Sequence, residues 1–292
     1  TTADNNVAVG FAALGENTTG IRNTALGTST LSSITTANDS TAVGFEALKL
    51  ATGTGNTAVG RDAGKSITSG GQNTIIGTAA LDALSTGERN TAVGGAALST
   101  ATTSDDNTAV GYSALLLNTT GTNNTAVGAN ALDAITTGNN CVAIGHDALT
   151  NSTGGSNTAV GKDALKTNTS GVHNTAVGLD ALEDNTSANN NTAIGHEALG
   201  ANTTGTQNTA IGSRALTDNT TANNNTSIGD VSLFTNSTGA NNTAIGQGAL
   251  YANTTASNNT AVGKNALVAN TTGTDNVGIG YQALDANTTG SQ

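Results

Sequence analysis

The sequence predicts an all-β fold, a parallel β-solenoid or β-roll of seventeen coils of about 17 residues each. Three observations predict it. A glycine preceded by an aliphatic residue recurs seventeen times from Gly10 to Gly280, in steps of 17 residues apart from two of 16. The segment before each glycine alternates in the manner of a strand. The 292 residues contain no Pro, as expected where nearly every backbone N–H is committed to a hydrogen-bonded ladder.

Each coil opens with Asn four residues before its glycine, in 15 of 17 repeats, with Ser40 and Cys141 at the exceptions. Asn107 and Asn191 belong to this row. The next position is Thr except at Val7, Val142 and Val277; Ala usually follows, and then the aliphatic residue, as at Val110 and Ile194. Thr and Val/Ile lie two apart and so share one strand face, with Ala on the other. The exchange of Thr for Val predicts that the Thr and Val/Ile face points inward. β-Branched residues favour a strand here, ending at the glycine, as at Gly111 and Gly195.

After the glycine comes a second apolar cluster, Ala and then Leu, as at Leu115 and Leu199; only Gly64 replaces that Leu. Adjacent apolar residues do not alternate, so this half-coil reads equally as a second short strand or a tight helical turn. The Asn-Thr-Thr-Gly punctuation excludes a continuous helix. Seven residues past the glycine, Asn in ten repeats exchanges with Ile34, Ile67, Leu84 and Ile135. That exchange predicts an inward corner where Asn caps the turn or stacks as an amide ladder. Charges gather just after the glycine (Arg61, Asp62, Lys162, Asp163, His196, Glu197) or just after Leu, which marks an exposed face.

The array is uninterrupted from 1 to 292, which predicts a single continuous repeat taken from a longer fibre. Stacked at the interstrand spacing of ~4.8 Å, the coils would extend for roughly 80 Å. Hydrophobic residues make up 35% of the chain and are mostly small, which predicts that several chains share a core. A net charge of −11, without Lys/Arg clusters, argues against nucleic-acid and membrane-surface binding. No apolar run approaches the ~20 residues that cross a bilayer.

Chemistry-bearing patterns are sparse. Cys141, the one cysteine, replaces an Asn of the repeat and reads as a small residue in the stack. His146 and His196 share one repeat position three coils apart, roughly 14 Å along the ladder, so they cannot pair directly. His173 lies in a loop. Asp105 and Asp106 form an isolated pair rather than the carboxylate ladder that calcium requires. No catalytic constellation is seen, and no cofactor or metal is expected. Asn-x-Ser/Thr sequences recur, and Asn17, Asn118, Asn202, Asn253 and Asn287 are candidate glycosylation sites, provided that their side chains point outward. An ice-binding face of Thr ladders is disfavoured by the inward placement of the strand Thr.

The strand core resembles the YadA-like head repeat of trimeric autotransporter adhesins, most closely in Asn6-Val7-Ala8-Val9-Gly10 and Cys141-Val142-Ala143-Ile144-Gly145. The resemblance runs through the whole array, although the unit is longer than that family's. It implies a left-handed roll, a homotrimer, and an extracellular or cell-surface location with a role in attachment. Related arrays are similar to segments of phage tail fibres, which would place the chain on a virion. The partners expected are therefore copies of the chain itself, as a homotrimer or fibre neighbours, and a surface glycan or receptor.

Overall fold

The computed structural model describes residues 3–291 as a parallel β-solenoid. Among the described residues there are seventeen strands of three residues each and no helix. The chain divides into two compact units, Thr1–His146 and Asp147–Gln292. The first carries β1 (Val7–Val9) to β9 (Val142–Ile144), the second β10 (Thr158–Val160) to β17 (Val277–Ile279). Within each unit, consecutive strands pair in parallel and equivalent residues lie opposite one another. In the first, Thr91, Ala92 and Val93 face Thr108, Ala109 and Val110; in the second, Thr192, Ala193 and Ile194 face Thr209, Ala210 and Ile211.

Every strand stops at the repeat glycine. Gly111 has φ +143° and Gly195 φ +140°, and a Cβ on either would press into the backbone carbonyl of the glycine one coil later, Gly128 or Gly212. No side chain fits that bend. Gly280 shares the conformation, at φ +127°.

The strand faces are the reverse of the sequence expectation. Ala is the buried residue, with Ala109 and Ala193 at 0% exposure, whereas Thr and Val/Ile point outward and Ile194 stays 39% exposed. The cause is the narrowness of the coil. In β17, where Gly278 takes the place of Ala, a Cβ would already lie 3.1 Å from Leu267 Cγ. A Val side chain has no room inside, and the Thr/Val exchange reports an outer surface that accepts a methyl in place of a hydroxyl.

Two irregular coils show how tightly the interior is matched. Gly64 lacks the usual Leu, and Ile75 in β5 (Thr74–Ile76) replaces the usual Ala of the next coil. A Cβ on Gly64 would meet Ile75 Cδ1 at 2.7 Å, so the Ile fills the volume that the Leu vacates. In β14 (Thr226–Ile228) Ser227 replaces Ala and meets Ser232, another Ser for Ala. Both are buried, and their hydroxyls lie 2.5 Å apart.

The second half-coil is neither strand nor helix. It is a run of turns in which the second and fourth residues past the glycine take left-handed conformations, such as Ser113 (φ 55°) and Leu115 (φ 54°), or Glu197 (φ 53°) and Leu199 (φ 54°). Left-handed geometry costs a non-glycine residue about 1–2 kcal/mol. Here it turns alternate N–H groups along the stack. Glu197 N–H donates back to Leu179 O at 2.9 Å and Leu199 N–H donates forward to Ala215 O at 3.0 Å, while Ala198 and Gly200 close turns within the coil. Leu115 and Leu199 are fully buried.

Two rows of buried amides complete the core. In the row before the strand, Asn107 N–H donates to Asn90 Oδ1 (3.1 Å), its Nδ2 to Gly121 O (2.9 Å), and its Oδ1 accepts from Asn124 N–H (2.9 Å). Asn191 repeats the pattern with Asn174, Gly205 and Asn208. Cys141, buried, keeps the backbone part of it, donating its N–H to Asn124 Oδ1. The second row, seven residues past the glycine, both caps and stacks: Asn219 Nδ2 donates to Asn202 Oδ1 (2.9 Å) and to Ala222 O (3.2 Å). It runs unbroken from Asn168 to Asn287, with Nδ2 of each Asn bonded to Oδ1 of the one before.

Candidate interaction surfaces

With its core closed by Ala, Leu and Asn, the coil offers three kinds of surface. The first is the strand face, made of one row of Thr and one of Val, Ile or Leu. In residues 24–127 and 158–262 each row runs through seven consecutive coils. The Thr hydroxyls of these strands, from Thr24 to Thr125 and from Thr158 to Thr260, have no hydrogen-bond partner within the chain. By contrast, the first Thr of the Thr-Thr pairs is committed: Thr203 Oγ1 donates to Thr220 O and Thr119 Oγ1 to Thr136 O. Val59, Ile76, Ile144, Ile194 and Ile245 are all exposed.

The second surface carries the residues one, two, five and six places past the glycine, and holds most of the charge. Glu46 accepts from Lys49 and Lys65, and those bonds hold its carboxyl below the usual range. Asp163 differs from the exposed residue expected of its position, because only 5% of it is accessible. Burial opposes its ionisation, but bonds from Lys162 and Lys166 outweigh that and keep its pKa low. Burial raises the pKa of Glu183, and the neighbouring Asp180 and Asp184 raise it further. Phe234 and Tyr251 stack at 5.4 Å with Arg214 over the Phe234 ring.

His146 and His196 are exposed on this face, as is His173 on the next. Asp180, His196 and Glu197 each present an atom within 4.8 Å of the others, close enough to share an ion. Sequence reasoning looked for paired histidines and passed over this grouping. All three residues are open to solvent, however, and the His196 and Glu197 side chains are 47% and 41% exposed.

The third surface spans the Thr-Thr-Gly turn and the two residues before the next Asn. The second residue past that turn's glycine is left-handed throughout, as at Arg89 (φ 57°), Asp106 (φ 59°), His173 (φ 59°) and Asn224 (φ 60°). Asp105 and Asp106 are not a metal pair. Asp105 Oδ1 accepts the Glu88 N–H at 2.7 Å, and Asp106 accepts from Arg89 at 2.7 and 3.1 Å. Arg22 and Asp39 make the same pair one coil apart. In 147–292, by contrast, Asp275 is the one charged residue on this face.

The candidate glycosylation sites do not suit a sugar. Asn118, Asn202 and Asn253 are fully buried, and each donates through Nδ2 to a carbonyl three residues on. Asn17 and Asn287 are half-buried, and their Nδ2 groups are bonded too. A glycan linked through that nitrogen would displace the cap of the turn and enter the core. The chain matches no protein-family model, and neither a curated protein nor a solved structure matches it.

Proposed function

We propose that the chain is a non-enzymatic structural segment of an extracellular fibre, on a cell surface or a virion, in which copies associate as a homotrimer through their strand faces. The observation that carries this reading is the exposed Val/Ile row. Contiguous apolar surface beyond a few hundred Å² ordinarily has a partner, and this row repeats without a charged residue through seven coils of each unit. Replacement of its companion Thr by Val at Val7, Val142 and Val277 fits an interface, where a methyl is as useful as a hydroxyl. The setting is the one that the resemblance to trimeric adhesin heads implies, left-handed coil included. Attachment to a surface glycan or receptor is the task of such a fibre.

Native mass spectrometry of the intact chain tests the association. A trimer that Val110→Lys combined with Ile194→Lys dissociates is expected; a stable folded monomer overturns this part.

A second reading has its own support. The strand Thr points outward with its hydroxyl free, which removes the reason for disfavouring ice binding. Flat, regular rows of Thr hydroxyls and aliphatic methyls are suited to organising water at an ice surface. Association would cover these rows, so the two readings exclude each other. A monomer that suppresses ice recrystallisation, and loses this on Thr192→Lys, would favour the second.

A further inference from the structure

We propose that the third surface of residues 168–275 binds an uncharged, extended β-1,4-linked glycan laid along the ladder, with one sugar to each coil. The proposal gives the attachment role suggested above a ligand and a face, and rests on that reading only for its biological setting.

This face combines three features that neither of the other two brings together. It is uncharged from 168 to 274 and carries one acid, Asp275, at its end, since the other charges of 147–292 lie elsewhere. Charge repels or demands a counter-charge, whereas a field of amides and hydroxyls matches a ligand made of hydroxyls. Part of its polar groups are also free, although the amides of Asn241 and Asn258 are linked to each other and to Asp275. The exposed side chains of Asn190, Gln207 and Asn224 make no hydrogen bond within the chain, nor do the hydroxyls of Ser187, Thr204 and Thr221 beside them. Each amide offers both a donor and an acceptor, and its left-handed backbone fixes it in place.

The third feature is a doubled period. Val172 N–H donates to Asn189 Oδ1 at 2.7 Å and Thr206 N–H to Asn223 Oδ1 at 2.6 Å; Ala240 N–H donates to Ser257 Oγ at 3.0 Å. Every second coil thus caps the one before it. The backbone N–H groups of Asn189, Asn223 and Ser257 are left without a partner in the chain. Free backbone donors therefore recur every two coils, ~9.6 Å at the interstrand spacing, while free amide side chains recur every coil from Asn190 to Asn224. An extended β-1,4-linked glycan has the same double rhythm, because successive sugars are flipped and the chain repeats every second one. There is no aromatic platform on this face, so each sugar is held weakly and affinity depends on engaging many coils at once.

The test uses the full chain and three probes, the hexasaccharides of cellulose, mannan and chitin, with their disaccharides for comparison, read by calorimetry. At least one hexasaccharide is expected to bind, at least tenfold more tightly than its disaccharide. Gln207→Arg combined with Asn224→Asp installs the ion pair that Arg22–Asp39 and Arg89–Asp106 make in the first unit. It occupies both free groups without changing the turn, since Asp already adopts this conformation at Asp39 and Asp106. This variant should lose at least tenfold in affinity while its melting temperature holds. Absence of binding by all three hexasaccharides, or undiminished binding by the variant, overturns the proposal. Native mass spectrometry of the same samples reports oligomeric state separately, so a monomer that binds glycan would break the trimer reading and leave this one standing.

Discussion

The two units share one coil but fill its corner differently. Seven residues past the glycine, the first unit has Asn17, Ile34, Ala51, Ile67, Leu84, Ala101, Asn118 and Ile135 in succession, whereas the second has an unbroken amide ladder from Asn168 to Asn287. The isolated Asn118 shows what the ladder does. Its Nδ2 caps the turn, but its buried Oδ1 has no partner, because Ile135 in the next coil has no amide to offer. An amide inside the stack is satisfied through its neighbours, so either an apolar run or an amide run is consistent; at Asn118, between Ala101 and Ile135, the lone amide carries an orphaned acceptor, whereas Asn17 in the first coil has its Oδ1 met by the Gly20 N–H.

The largest effect sharpens the comparison at the irregular coils. Ile75→Ala leaves the space beside Gly64 empty and should destabilise the first unit by about 2–5 kcal/mol. Adding Gly64→Leu should recover most of that loss, measured by urea unfolding. If the double variant is as unstable as Ile75→Ala, the two residues do not exchange volume. Next comes the corner row. Asn219→Ile severs the ladder, orphans Asn202 Oδ1, leaves Asn236 Nδ2 only its bond to Gly239 O, and is expected to cost about 1–3 kcal/mol. Asn118→Ile removes an acceptor that already lacks a partner, and should be neutral or stabilising by about 1 kcal/mol. Equal losses at both sites would break the comparison outright.

Smaller effects follow. Ser227→Ala and Ser232→Ala should each cost at most about 1 kcal/mol, because the remaining hydroxyl keeps a backbone acceptor, Gly229 O for Ser232 and Ser232 O for Ser227, and the double variant should return close to the parent. Non-additivity is the reading to seek. Smallest is Glu183→Gln. Burial and neighbouring acids raise the folded pKa of Glu183, so ionisation works against the folded state at neutral pH. The variant should therefore melt slightly higher at pH 7. Its advantage should disappear as the pH falls below the unfolded value of about 4.3, where the parent carboxyl is protonated in both states.

Much of this architecture was legible in the chain. The period placed each coil, the aliphatic-glycine step located the strand end, and the Asn/Ile exchange identified an inward corner where Asn caps or stacks, of which the structure shows both. The orientation of the strand was not legible, for a physical reason. A three-residue strand has two residues on one face and one on the other, and alternation alone does not say which face is inside. That is decided by the volume available across the coil, which Leu267 and its equivalents occupy. The left-handed Leu residues were equally hidden, since propensity argues against them and only the hydrogen bonds to adjacent coils explain them. The pairing of Gly64 with Ile75 joins residues eleven apart in sequence, a spacing that no helical or strand periodicity singles out. The neutral third surface of the second unit was readable from composition, but its free donors required the hydrogen bonds to be traced.

The pattern of backbone bonds also governs how the chain bears load. Glu197 and Leu199 bond to the coil before and the coil after, and the same holds around each ring, so a residue's partners lie about one repeat away in either direction. A terminal coil can then peel from its neighbour while the bonds among the remaining coils stay intact. Tension applied through an end would be relieved in nearly equal increments, each freeing 16 or 17 residues or about 55–60 Å of chain. A chain bonded this way would lengthen by yielding at an end before it snapped, and would recover by rewinding onto the coil that held.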